Sequence, residues 1–327
     1  MLIGIVVLLN GCVKPQAEPE SEEVYPKEAV ELIAPAGMGS GYDLTLRSVA
    51  RCLQDTELVK VPLPVTNKPG GGGSASLSYL TDNKGRDGVL AVFSPPLLLI
   101  NLNGSTEMNY RENTTPIARL AVDYGCFAVS NSSPYNTIGD VMDALKQDPN
   151  SIRIGGTSSE GSMDHIQFLK IAKAAGVEHL NEIKYEGFEN GGVAVQLMGN
   201  RIDVLSAGIS DVVGFLESGD LRVLAITADE RIGSGLISEI PTCREMGIDA
   251  GFSTWRGIFG PSDMPDYAVD FWEDVLAKMA ETKDWQEVCE RYGWTMDYAG
   301  REEFTDFLGV VSGEYSELLK EIGMLEK

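Results

Sequence analysis

Pro35-Ala36-Gly37-Met38-Gly39-Ser40-Gly41-Tyr42-Asp43 joins a short apolar run, Val30 to Pro35, to an amphipathic one, Leu44 to Leu53. The first run has the length and character of a buried strand. In the second, Leu46, Val49, Ala50 and Leu53 recur on one face of a helix. Strand, Gly/Ser-rich loop, helix is a βα unit, and the chain repeats it. Ser151 to Gly155 reads as a strand, Gly155-Gly156-Thr157-Ser158-Ser159-Glu160-Gly161-Ser162-Met163-Asp164-His165 as the loop, and Ile166, Leu169 and Ala172 as the following helix. Pro64 to Asn67, Val89 to Ser94, Ile202 to Ala207 and Arg222 to Thr227 are further strands. From Pro265 to Lys327 the chain is mainly helical, carrying Phe271, Val275, Met279, Phe304, Leu308, Leu319 and Ile322. The pattern predicts an α/β fold with mostly parallel pairing.

Ligands of open α/β sheets sit beyond the carboxyl ends of the strands, where these loops lie. Glycines and serines ahead of a helix leave backbone N–H groups free and allow close approach. The helix dipole adds partial positive charge there, so such a site favours a carboxylate or phosphate even without Arg or Lys. As bare patterns the loops are weak signals. Gly39-Ser40-Gly41 does not meet the dinucleotide fingerprint, and the chain has no phosphate-binding GxxxxGK[ST] loop. Asp43 and Asp164 are most simply helix-start residues, and His165 a neighbour of a cap. Asn67-Lys68-Pro69-Gly70-Gly71-Gly72-Gly73-Ser74 also follows a strand and forms a further wall.

The chain has 327 residues, enough for two domains, with 43% hydrophobic and 23% charged side chains. Its net charge of −23 and pI near 4.4 argue against a nucleic-acid partner and against electrostatic docking on anionic lipid. Met1 to Gly11 carries no charge and is apolar from Leu2 to Leu9, too short to span a bilayer. It reads as the end of a secretory signal. Leu9-Asn10-Gly11-Cys12 resembles a bacterial lipobox, making Cys12 the candidate lipidation site. Residues 13–26 are acidic and Pro-rich, a tether. Of the other cysteines, Cys52, Cys126, Cys243 and Cys289, none lies in a metal-binding spacing. Disulfides and buried free thiols both remain open for them.

Catalytic constellations are scarce. There are two histidines, with no GxSxG, no HExxH and no EF-hand pattern. Glu186 and Glu189 read as a solvated face. No catalytic residue, metal ligand or cofactor is assigned.

Taken together and in order, the loops resemble a known family, the solute receptors of tripartite tricarboxylate transporters, or Bug-type receptors. The matching elements are Pro35, Gly37 to Gly41, Asp43 and Arg47; Asn67 to Gly73; Gly161-Ser162-Met163-Asp164-His165; Lys184-Tyr185-Glu186-Gly187; Leu221-Arg222-Val223-Leu224-Ala225; Pro241 to Gly247; and Trp255-Arg256-Gly257 followed by Pro261 and Pro265. Departures are Lys184 in place of a proline, Gly-Met-Gly-Ser-Gly where paired glycines are usual, and Tyr42 where a small residue is usual.

The resemblance implies a two-domain Venus-flytrap receptor of the periplasmic-binding-protein type II class. Residues 27–123 and 229–327 would form one lobe and 124–228 the other. Gly39, Ser40, Gly41 and Asp43 would line the first lobe, and Thr157, Ser158, Gly161, Ser162 and His165 the second. Tyr185, Ala207 and Gly208 would flank the site. Trp255 would be an aromatic wall, although core packing explains Trp255 and Tyr185 equally well. The implied ligand is a small di- or tricarboxylate, passed to integral-membrane permease subunits. The setting would be extracytoplasmic, in a periplasm or on a Gram-positive cell surface; the anchor in the cell membrane is the expectation from Cys12 and is less usual for the family. Two rivals remain: a sensing subunit for a membrane kinase, and a surface hydrolase using Cys126 or Ser162.

Overall fold

The computed structural model describes residues 25–188 and 192–325. The apolar segment with Cys12 and most of the acidic tether, residues 1–24, lie outside them, as does Glu189. Tyr25, inside the segment read as a tether, is packed against the first half. Its ring meets Tyr267, Phe271 and Trp272 edge-on, and its hydroxyl donates to the Asp87 carbonyl at 2.7 Å.

Among the described residues, ten strands form one mixed sheet. They are β1 (Glu31–Ala34), β2 (Val65–Asn67), β3 (Val89–Phe93), β4 (Thr114–Ser130), β5 (Arg153–Gly156), β6 (Lys184–Gly187), β7 (Val204–Gly208), β8 (Leu221–Ile226), β9 (Ser253–Pro261) and β10 (Thr295–Ala299). The order is β2-β1-β3-β9-β4-β7-β5-β6, with β8 and β10 also paired to β4. The expected parallel pairing holds within β2-β1-β3 and within β7-β5-β6. The strands joining these two sets run antiparallel, a departure from a mostly parallel sheet.

The join is β4. Its 17 residues, roughly 56 Å of extended chain, serve both halves. Thr114 to Tyr124 pairs with β9, the last partners being Tyr124 and Ser253. From Gly125, opposite Gly208, the strand pairs with β7, and from Cys126 with β8. The sheet therefore splits into two α/β lobes between adjacent residues of a single strand.

The helix Gly41–Asp55 forms as its spacing predicts. The Ser40 side chain caps it by accepting from the Asp43 N–H at 3.3 Å. Its Leu46, Val49, Ala50 and Leu53 face is buried, Leu46 and Leu53 completely. Each of those leucines contributes roughly 1.5–3 kcal/mol of hydrophobic stabilisation. The C-terminal helix, Arg301–Glu321, ties the halves together. Arg119 of β4 lies over the Phe307 ring at 4.4 Å, and Glu314 pairs with Lys170 of the second half at 3.3 Å. Cys52, Cys126, Cys243 and Cys289 are buried free thiols.

Candidate functional site

A cavity of about 340 Å³ lies between the lobes, at the carboxyl ends of the strands. That is a small-molecule volume, toward the low end of the usual range of roughly 300–1,000 Å³. A larger cavity of about 660 Å³ lies beside Tyr25, Tyr267 and Phe271, but the first lobe alone lines it. Into the interlobe cavity converge the Gly/Ser-rich loops of both halves.

The first lobe contributes Pro35, Ala36, Gly37, Ser40, Gly41 and Tyr42, with Gly70 to Gly73 as a side wall. All four of those glycines have positive φ, between +54° and +136°, a run that other residues could hold only under strain. Asp43 does not face the cavity. It is 3% exposed and accepts from the Gly39 N–H at 2.9 Å. Arg47 Nε donates to both its oxygens at 3.0 Å. Burial alone would raise its carboxyl. The Arg47 guanidinium, the Gly39 amide and Asn67 outweigh that and hold it below the ordinary range. Asp43 pins the loop in place.

The second lobe contributes Thr157, Ser158, Ser159, Ser162 and Met163. Asp164 is fully buried and plays the part Asp43 plays opposite. Its Oδ2 accepts from the Thr157 N–H and hydroxyl, both at 2.7 Å, and from the Ser158 N–H at 3.1 Å. Tyr185 supports the same loop from outside, donating to the Ser158 carbonyl at 2.7 Å. His165 is buried, stacked on the Tyr185 ring at 4.4 Å, and its Nδ1 accepts from the Gly161 N–H at 3.0 Å. Burial pushes its pKa down to about 4, so the imidazole is neutral.

Of the residues expected at the site, Ser40, Gly41, Thr157, Ser158 and Ser162 line the cavity together. Asp43, Gly161, His165 and Tyr185 stand behind them and shape the loops, while Gly39 is exposed and donates its N–H to Asp43. Ala207 and Gly208 are buried at the end of β7. Trp255 is placed differently from the expected aromatic wall. It is fully buried, with its ring 5.6 Å from Phe304 and 6.1 Å from Phe259. Alternation along β9 sends Trp255 into the core and its neighbour Arg256 to the cavity.

Arg256 is the principal residue the sequence reading left out. It is 6% exposed, and its Nη2 meets Asp123 Oδ2 at 3.2 Å. Asp123 also accepts from the Ser210 hydroxyl at 2.8 Å. The guanidinium lies 5.6 Å from the centre of the Tyr42 ring, which is within cation–π range. A Cβ on Gly41 would stand 2.7 Å from Nη2, so glycine there is what lets the first loop close over the arginine. A second unforeseen residue, Asp211, opens into the cavity beside this pair. One signal was available: Arg256 is the lone charge in its strand, next to the apolar run Ile258-Phe259.

Comparison with known proteins agrees with this architecture. Protein BugT of Bordetella pertussis is 26% identical over 268 residues, covering 80% of this chain and 77% of the relative. The Rhodopseudomonas palustris protein MatC, solved with bound malate, superposes with a TM-score of 0.74 at 17% identity, covering 91% of this chain and 100% of that one. The R. palustris protein Rpa4515, solved with adipate, gives 0.81 at 19% identity, covering 92% and 99%. Residues 47–324 match the family model described as the tripartite tricarboxylate transporter family receptor, TctC. With nearly the whole two-lobed chain inside that match, this protein belongs to the TctC family of tripartite tricarboxylate transporter receptors.

Proposed function

We propose that the protein is an extracytoplasmic receptor that captures a small organic carboxylate between its lobes and passes it to the permease subunits of a tripartite transporter. One observation carries the reading. Two Ser-bearing helix N-termini from opposite lobes line a single cavity that also holds Arg256. Amide donors and a helix dipole on each side, with one guanidinium, suit a carboxylate at contact range. The adipate and malate in the similar receptors support the ligand class.

Capture works by differential affinity. A ligand touching only one lobe shifts nothing; one that bridges both stabilises the closed form. The change of partners at Tyr124 and Gly125 of β4 is the natural place for the lobes to flex. Anchoring through Cys12 would keep the receptor beside its permease.

Binding without turnover completes the reading. Cys126 is fully buried and burial holds its thiol well above the ordinary range, the opposite of an activated nucleophile. The His165 Nδ1 is already occupied by the Gly161 amide, not by Ser162. The test is thermal unfolding of residues 25–327 against a panel of carboxylates. At a hundredfold excess over Kd a bound ligand adds about 2.7 kcal/mol. A shift with one class, and quantitative recovery of the unchanged compound, supports the receptor. Consumption of the compound points to an enzyme, and no shift removes the carboxylate reading.

A further inference from the structure

The C-terminal helix, Arg301–Glu321, spans both lobes and is held to each. At its start the Arg301 N–H donates to Glu273 Oε1 at 2.7 Å. Phe304 is fully buried, its ring 5.6 Å from Trp255 and 5.4 Å from Phe259. It lies so close over Gly257 that a Cβ there would stand 2.3 Å from Phe304 Cζ. Toward its far end, Glu314 and Glu321 pair with Lys170 and Lys173 of the helix Met163–Ala174, which follows directly on the second loop of the cavity. Met324, just past the C-terminal helix, packs under that loop: a Cβ on Gly161 would stand 3.2 Å from its Sδ.

Between these two holds runs Gly309-Val310-Val311-Ser312-Gly313, five successive residues none of which is a strong helix former. Glycine inside a helix frees the backbone and weakens it, and Gly/Ser pairs are a common seat of kinks. Packing does not require glycine here. Outside the helix itself, a Cβ on Gly313 would meet no described atom within 4 Å, and one on Gly309 would make an ordinary contact with Arg111 Nη2 at 3.8 Å. Neither has a positive φ, so alanine fits the backbone of both. Beside the same turns lies a cavity of about 310 Å³, lined by Val311, Glu314 and Tyr315 together with Tyr124, Thr227 and Ser253. Tyr124 and Ser253 are the last pair of β4 and β9, where β4 changes partners. A close-packed interior resists movement, whereas here the weak centre of the helix adjoins open space at the turning point.

We propose that the C-terminal helix is a compliant strap between the lobes, bending at Gly309 to Gly313 when they close and thereby setting how tightly the ligand is held. This rests on the receptor reading above and adds a working part to it. Closure turns one lobe against the other about Tyr124 and Gly125 of β4. A rigid helix fastened to both lobes would oppose that turn. A weak centre lets each end stay with its own lobe while the chain between them bends. Because Met324 backs the Gly161 turn, the far end of the strap moves with the second ligand loop.

Hydrogen–deuterium exchange of the ligand-free protein reads the strap directly. Amides at residues 309–313 should exchange about tenfold faster than those of the flanking turns. Gly309→Ala combined with Gly313→Ala should slow them and raise the melting temperature, because alanine is the stronger helix former. Calorimetric titration with malate and adipate should nonetheless show the stiffened variant binding about fivefold or more weaker than wild type. A more stable variant of unchanged affinity overturns the strap and makes the two glycines a matter of helix stability alone. Even protection along the whole helix in the wild-type protein also overturns it, whether or not either acid binds. Failure of both acids to bind the wild-type protein would instead overturn the carboxylate reading, and the exchange pattern would still decide for or against the strap.

Discussion

Arg256 and Asp123 form an ion pair at 3.2 Å whose side chains are 8% and 1% exposed, joining β9 to β4 beside the interlobe cavity. The partners lie 133 residues apart in sequence. Desolvating two charges is costly, so such a pair is weak grounds for stability in itself. Its meaning is positional: Asp123 holds the guanidinium against the cavity.

Removing one partner should be worse than removing both. Arg256→Met leaves Asp123 buried and uncompensated, and should destabilise the fold by about 3–5 kcal/mol in denaturant unfolding. Adding Asp123→Leu should recover most of that loss while ligand binding stays absent. Recovered binding in the double variant would show that Arg256 serves the fold alone.

Gly161 has φ of +74°, and a side chain there would approach Met324. A β-branched residue is strained in that region, at roughly 1–2 kcal/mol. Gly161→Val should therefore cost measurable stability as well as binding, because the amide that orients His165 and the second loop shifts. Titration of the folded variant should give at least a tenfold weaker affinity. Wild-type affinity would remove the second loop from the site.

Asp43 should matter to stability more than to affinity. Asp43→Asn loses charge-assisted bonds to Arg47, worth roughly 1–3 kcal/mol before allowance for the solvent screening of the half-exposed Arg47. The carboxyl is depressed in the folded state, so its contribution is present above the unfolded pKa and fades as pH falls through the folded one. Urea midpoints of variant and wild type should differ near pH 7 and converge in strong acid. Loss of affinity with unchanged stability would instead place Asp43 on the ligand.

His165 sets a different pH window. Its folded pKa of about 4 lies below the ordinary 6.5, so the unfolded chain binds a proton first as pH falls. Stability from this group is complete above 6.5, declines between 6.5 and about 4, and then levels off. The total is about 3 kcal/mol. Comparing wild type with His165→Gln across that range should show a flatter profile in the variant. Identical slopes would mean that His165 is solvated and titrates normally.

The two loops were legible because their chemistry is local. The strand, Gly/Ser loop and helix at 35–53 and at 151–172 carry their own periodicity and caps. Ser40, Gly41, Thr157, Ser158 and Ser162 accordingly reach the cavity as expected. β4 escaped notice because Pro116, Asp123 and Gly125 interrupt it, and because burial on both faces erases alternation. Without β4 there was no partner for Arg256. The preference for Trp255 over Arg256 follows from the same gap: in a strand, adjacent residues face opposite ways, and the aromatic belongs to the core. Asp211 sits in a helix start, where an acid is ordinary. Only the fold brings it beside Asp123.

The central claim is that one small carboxylate bridges both lobes and closes them. Small-angle scattering of the protein, with and without a saturating stabilising ligand, measures this directly. The radius of gyration should fall on binding, and the fall should be lost in Gly161→Val at the same ligand concentration. Saturated binding with an unchanged radius would contradict closure and leave a ligand held by one lobe alone.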